Sequence, residues 1–181
     1  MGYPIAGGAV LNYNAIGGNP TGYVSVRDPD NFDTFFQAPA AYHGNLIALL
    51  NGSLRYDIIT DQSVDYDGAD VVIKGGGLVL VYNISPPPAS SAWTTVNVAI
   101  AQGSGWHLGT LAGAAPLLAD FQTALAGVNE LWIAAEYHSG TTETSGLDNV
   151  SLNSVDSIPE PASGLLGFIG LGAIYWMRRR L

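Results

Sequence analysis

Short runs in which apolar and polar residues alternate, each cut off by Gly, Pro, Asn or Asp, fill the chain from Tyr23 to Leu152. This period of two constrains the fold most strongly. An alternation gives a strand one dry face and one wet face. The clearest case is Ser53-Leu54-Arg55-Tyr56-Asp57-Ile58-Ile59, where Leu54, Tyr56 and Ile58 share a face and Arg55 and Asp57 take the other. Tyr23 to Arg27 alternates behind the turn signal Asn19-Pro20-Thr21-Gly22 and stops at Asp28-Pro29-Asp30. Phe32, Phe35 and Phe36 cluster before Ala38-Pro39. Val71 to Lys74, Gly75-Gly76-Gly77 and Leu78 to Tyr82 read as a hairpin. Thr95 to Ile100, Leu131 to Tyr137 and Leu147 to Leu152 are further strands. One stretch breaks the pattern. Pro116 to Ala126 repeats Leu117, Phe121 and Leu125 every four residues and ends at Gly127, which predicts a helix. Many short strands with one small helix predict an all-β, antiparallel sandwich.

The 181 residues allow one such domain and a tail. No cysteine is present, so the core must carry the stability without disulfides. The charge is uneven. Three of the six basic residues are Arg178, Arg179 and Arg180. That leaves Arg27, Arg55 and Lys74 against all fifteen acidic residues over 1–163, a formal −12 for everything before the apolar run. Such a body lacks the basic footprint that nucleic acid or an anionic lipid surface requires.

The tail has three parts in fixed order. Pro159-Glu160-Pro161 comes first and Ala162-Ser163 follows. A charge-free run from Gly164 to Met177 comes next, carrying Leu165, Leu166, Phe168, Ile169, Leu171, Ile174 and Trp176. Arg178 to Arg180 close it. Taken as a helix from Ala162 to Met177, the apolar part spans roughly 24 Å, a little short of the hydrocarbon core; snorkelling arginines or local thinning make up the difference. The arginines then stay on the cytoplasmic side and the body lies across the membrane. This tail resembles the PEP-CTERM sorting signal of Gram-negative bacteria that make extracellular polysaccharide. The resemblance implies export, arrest in the inner membrane, and processing near the triplet by an exosortase, after which the protein reaches the cell surface or the matrix.

An exported chain should open with a basic segment, an apolar run and a small-residue cleavage site. Met1-Gly2-Tyr3-Pro4-Ile5-Ala6-Gly7-Gly8 has none of these, and Ala6 departs from the myristoylation pattern. A start truncated upstream is therefore expected.

A second resemblance covers most of residues 17 to 152. It rests on Gly17 to Tyr23, Ala38-Pro39, Gly52 to Asp57, Asp70 to Ile73, Gly77-Leu78, Trp93-Thr94, Gly105-Trp106, Asp120-Phe121, Leu131 to Ile133 and Gly146 to Val150. In this order they resemble the laminin B module, or laminin domain IV. The resemblance implies a jelly-roll sandwich of the galactose-binding-like kind and implies no activity. It also implies a first strand, which is expected to be missing from the start of this sequence. The organisation expected is a sandwich over 1–152, a linker over 153–158 and a sorting and anchor segment over 159–181.

Candidate chemistry is sparse. Counting back from Leu152 and Val150 puts Asp148 on the inward face, where a carboxylate needs a cation or several hydrogen-bond donors. Asp28 and Asp30 are the candidate co-ligands for a structural calcium, which takes six to eight oxygens. The alternative is an aspartate capping loop amides. The loop from Asp61 to Asp70 lacks EF-hand spacing. Gly75-Gly76-Gly77 precedes a strand and so offers no helix N-terminus to a phosphate. His43, His107 and His138 lack metal-site spacing, and no Gly-x-Ser-x-Gly occurs. Glu130, Glu136 and Glu143 are the only glutamates of the body proper, and alternation with Trp132 and Ala134 predicts an outward Glu136. Trp93, Trp106, Trp132, Tyr42, Tyr66 and Tyr137 would stack on sugar rings where exposed and fill the core where not.

These features predict an exported, non-enzymatic surface or matrix protein, with exosortase and the membrane as partners and no nucleic acid. A structural or adhesive module leads. A carbohydrate-binding module for extracellular polysaccharide is the alternative, distinguished by exposed aromatics beside polar groups. A secreted hydrolase would need convergent carboxylates in a cleft.

Overall fold

The computed structural model describes residues 9–28, 33–65, 68–140 and 142–155. Pro159 to Pro161, the apolar run and the arginines therefore lie outside the described residues, as does Asp30. Among the described residues no helix is long and apolar enough to cross a membrane.

Among the described residues ten strands and one α-helix follow in order: β1 (Leu11–Asn14), β2 (Tyr23–Arg27), β3 (Phe35–Gln37), β4 (Ser53–Thr60), β5 (Val71–Gly75), β6 (Leu78–Tyr82), β7 (Thr94–Ala99), β8 (His107–Leu108), α1 (Leu118–Leu125), β9 (Val128–Ala134) and β10 (Thr144–Asn153). They form two five-stranded antiparallel sheets. The first runs β1-β2-β10-β4-β7 and the second β3-β9-β5-β6-β8. The expected sandwich is observed.

Alternation explains the core. Leu54, Tyr56 and Ile58 of β4 point inward and are fully buried, meeting Val71, Ile73, Leu80, Leu131 and Ile133 of the opposing sheet in one cluster. Each such aliphatic side chain contributes about 1.5–3 kcal/mol when removed from water. The β5–β6 hairpin turns on Gly76 and Gly77, both at positive φ. A side chain at Gly76 would also meet the Thr123 carbonyl at 2.4 Å, because α1 sits against this turn. Asp120 Oδ2 accepts the Leu117 N–H at 2.8 Å and holds the helix start. Phe121, Ala124 and Leu125 are buried while Leu117, expected on the same stripe, stays exposed, because the helix begins only at Leu118.

The outer face of the second sheet is sealed. Val72, Val81, Trp132 and Ala69 form a small cluster of their own, with Phe35, Val79 and Leu111 packed on it. Lys74 Nζ lies 3.6 Å from the Trp132 ring centroid and pairs with Glu130 at 2.6 Å.

The first strand among the described residues, β1, leaves its Leu11 and Tyr13 largely exposed at the sheet edge. Two expectations are corrected. Asp148 faces outward. Between Asp148 and Ser151 the register on β4 moves from Asp57 to Arg55, two residues against three, so β10 carries a bulge. The extra residue, Asn149 at φ 51, inverts the parity counted back from Leu152. Glu136 is buried, because β9 ends at Ala134 and the alternation ends with it.

Candidate functional site

The outward face of the first sheet holds the densest polar constellation. Register places Asp148 of β10 beside Asp57 of β4, and Asp57 beside Thr95 of β7. The loop between β1 and β2 folds over them. Asp148 Oδ2 accepts the Asn19 N–H at 2.8 Å and Oδ1 accepts the Asn149 N–H at 2.8 Å. Asp57 Oδ1 accepts the Thr95 hydroxyl at 2.5 Å, while Oδ2 accepts the side-chain amides of Asn149 at 2.6 Å and Asn19 at 3.2 Å. The Asn149 amide also reaches the Asn19 carbonyl. Gly18 lies so close to Asp148 Oδ2 that a side chain there would approach within 2.8 Å of it.

Burial pushes the Asp57 carboxyl upward. Hydrogen bonds from Thr95 and Asn149, the Arg55 charge and a further bond from Asn19 outweigh it and hold the group below its usual range. All four oxygens of the Asp57–Asp148 pair are thus met by donors. Asp148 caps loop amides.

Asp28 and Asp148 of the expected calcium set are not gathered at one point. Asp28 donates its N–H to the Glu143 carbonyl at 2.9 Å, five residues along β10 from Asp148, which is about 16 Å at the usual strand rise. Among the described residues no three His, Asp or Glu side chains form a group able to hold a metal ion.

Beside the carboxylates lies an aromatic pair. Tyr23 and Trp93 meet edge to face, with centroids 5.3 Å apart and planes at 84°. Both are half-buried. Gly146 makes room for Tyr23, since a side chain there would come within 2.7 Å of its ring. Trp93 Nε1 donates to the Gly17 carbonyl at 3.1 Å. Of the other aromatics weighed for stacking, Trp106, Trp132 and Tyr137 are buried and Tyr42 is half-buried; Tyr66 lies outside the described residues.

A second polar centre was not anticipated. Glu143 is fully buried at the start of β10. It accepts the Tyr137 N–H at 3.0 Å, the His138 N–H at 2.6 Å, the Ser145 hydroxyl at 3.1 Å and the Thr60 hydroxyl at 3.3 Å. Burial raises its pKa and these bonds pull it back. The sequence signal was available: Glu143 stands two residues before inward-facing Ser145, within one alternation. Glu130, paired with Lys74 on the other sheet's outer face, shares no cleft with Glu136 or Glu143. The histidines are likewise apart. His107 Nδ1 contacts the Gly113 carbonyl, and His138 Nδ1 the Ser63 carbonyl.

Comparison with known proteins points one way. The profile of the Laminin B (Domain IV) family matches residues 35–165. Laminin subunit alpha-1 of Homo sapiens is 30% identical over 132 residues, 68% of this chain. The match spans only 4% of that subunit's length. Among solved structures, the L4b domain of human laminin alpha-2 superposes with a TM-score of 0.62 at 16% identity, covering 74% of this chain and 80% of that one. A family 11 carbohydrate-binding module of Clostridium thermocellum gives 0.52 at 16% identity, over 82% of this chain and 84% of the module. Both structures are similar in fold.

Proposed function

The chain belongs to the Laminin B (Domain IV) family, and from that premise we propose that it is a non-catalytic surface module, exported and displayed on or outside the cell. Its work is adhesion or scaffolding through the sandwich. The PEP-CTERM-like tail delivers it: Pro159-Glu160-Pro161 serves an exosortase, the run from Gly164 to Met177 halts in the membrane, and Arg178 to Arg180 hold the inner end. The observation that carries this reading is the union of a family match over residues 35–165 with that three-part tail.

The glutamates support a non-enzymatic role. Glu130 is tied to Lys74, and Glu143 is enclosed by hydrogen bonds, so neither is presented to a substrate. Fractionation tests the delivery. The full chain, given a secretory leader in a host with an exosortase, should appear first in the membrane and then as a shorter released form. Replacing Pro159, Glu160 and Pro161 by alanine should leave it in the membrane. A cytosolic product in both cases sinks the reading.

Carbohydrate binding is the second reading, favoured by Tyr23 and Trp93 beside the polar Asp57–Asn149 centre and by the fold shared with the family 11 module. Stacking of a sugar on an aromatic ring suits side chains that keep part of a face in water. Affinity electrophoresis against extracellular polysaccharides should show retardation that Trp93→Ala abolishes. Equal mobility of both proteins in every glycan removes this reading.

A further inference from the structure

One end of the sandwich joins its two sheets through buried acids. There β2 hands over to β3, and β9 to β10. The Asp28 N–H donates to the Glu143 carbonyl at 2.9 Å, which ties the end of β2 to the start of β10 in the first sheet. The Ala135 N–H donates to the Thr34 carbonyl at 2.8 Å, which extends the pairing of β3 with β9 in the second. Thr34 Oγ1 then crosses between the sheets to Asp28 Oδ1 at 3.0 Å. Asp28, Thr34 and Glu143 are essentially sealed from solvent, and Glu136 is 7% exposed.

The two glutamates of this corner are treated differently. Glu143 accepts from two backbone amides and two hydroxyls, which offset part of the cost of its burial. Glu136 accepts the Thr34 N–H, but its Oε2 is buried and has no hydrogen-bond partner among the described residues. An anionic carboxylate with a bare, buried oxygen beside other carboxylates is costly. A neutral carboxyl costs far less.

We propose that Glu136 acts as a proton-operated staple at this end of the second sheet, with the junction just beyond β3 and β9 closed when its carboxyl is protonated and loosened when the proton leaves. Deprotonation puts a new negative charge against Asp28, Asp33 and Glu143. Burial, then the charges of Asp28 and Asp33, push the Glu136 pKa up to about 7, which sets the transition in the neutral range. Among the described residues the titratable groups that face it are Asp28 just after β2, Asp33 before β3 and Glu143 just before β10. Tyr137 and Asp70 lie behind it, lining the same shallow recess.

The sign follows from linkage. The folded form binds this proton more tightly than the unfolded chain, whose carboxyl titrates near 4.5. Stabilisation is therefore complete below that value and is lost as the pH rises through about 7. A module built this way holds the β3–β9 end of its second sheet more firmly in a mildly acidic matrix than in an alkaline one.

Hydrogen exchange at the Thr34 and Ala135 amides, followed by NMR and corrected for intrinsic rates, tests the staple. Protection in the natural protein should fall about tenfold or more between pH 5.5 and pH 8. Glu136→Gln, neutral at every pH, should hold its protection across that range. A carbon-13 carboxyl titration of the natural protein gives a reading that needs no variant, with Glu136 expected to change near neutral pH. The proposal is overturned if Glu136 titrates below pH 5, or if Glu136→Gln loses protection with pH as the natural protein does.

Discussion

Asn149 ties Asp57 to Asp148. Its backbone N–H donates to Asp148 Oδ1 at 2.8 Å and its side-chain amide to Asp57 Oδ2 at 2.6 Å. The residue is the extra member of the β10 bulge, and its positive φ is a conformation that asparagine tolerates better than most. Asn149→Ala would strip a donor from a buried carboxylate and retain the left-handed backbone. A loss of about 1–3 kcal/mol is expected, read from urea denaturation at pH 7. Asn149→Asp should cost more, because it sets a third carboxylate beside the pair.

The same pair sets the response to calcium. The oxygens of Asp57 and Asp148 already receive N–H and O–H donors, and Asp28 sits far along the strand. The melting temperature should be the same, within a degree or so, in millimolar Ca²⁺ and in a chelator. A ligand present at 100 times its dissociation constant would add about 2.7 kcal/mol, so a true site would be plain in the melt.

Gly146 is the place where added bulk should hurt most on this face. A methyl group there would press on the Tyr23 ring and on Ile59, both within 2.8 Å. Gly146→Ala should cost about 1–3 kcal/mol and change the near-ultraviolet signal of Tyr23 and Trp93. Gly103, which has open space around it, makes the control. Its positive φ of 79 still adds a modest strain to any alanine there.

Glu143→Ala should be the most damaging change at the sandwich end. It leaves two backbone amides and two buried hydroxyls without an acceptor. A loss of about 2–4 kcal/mol is expected. Glu143→Gln keeps one acceptor oxygen and should lie between alanine and the natural residue. Thermal denaturation of the three proteins at pH 6 gives the order, and equal stability of all three would show that Glu143 is not a structural acceptor.

Much of the fold was legible because alternation and turn chemistry act locally. The inward set Leu54, Tyr56 and Ile58, the hairpin through Gly76 and Gly77, and the helix around Phe121 and Leu125 all follow from side-chain period and glycine placement. The polar centres were harder to read, for two reasons. A bulge adds a residue that leaves no mark in the composition, so the face of Asp148 was inverted. A strand also stops where its pairing stops. Beyond Ala134, the last β9 residue paired to β3, Glu136 is placed by contacts from Thr34 and no longer by parity with Trp132. The partners of Asp57 come from residues 19, 95 and 149, three separate stretches that only the assembled sheet brings together.

Lys74 occupies the ring face of Trp132 and is itself held by Glu130. That cation closes the ring face a flat ligand would need on this sheet, whereas the Tyr23–Trp93 pair on the β2–β10–β4–β7 sheet stays half-buried, so the two sides of the sandwich are chemically unlike.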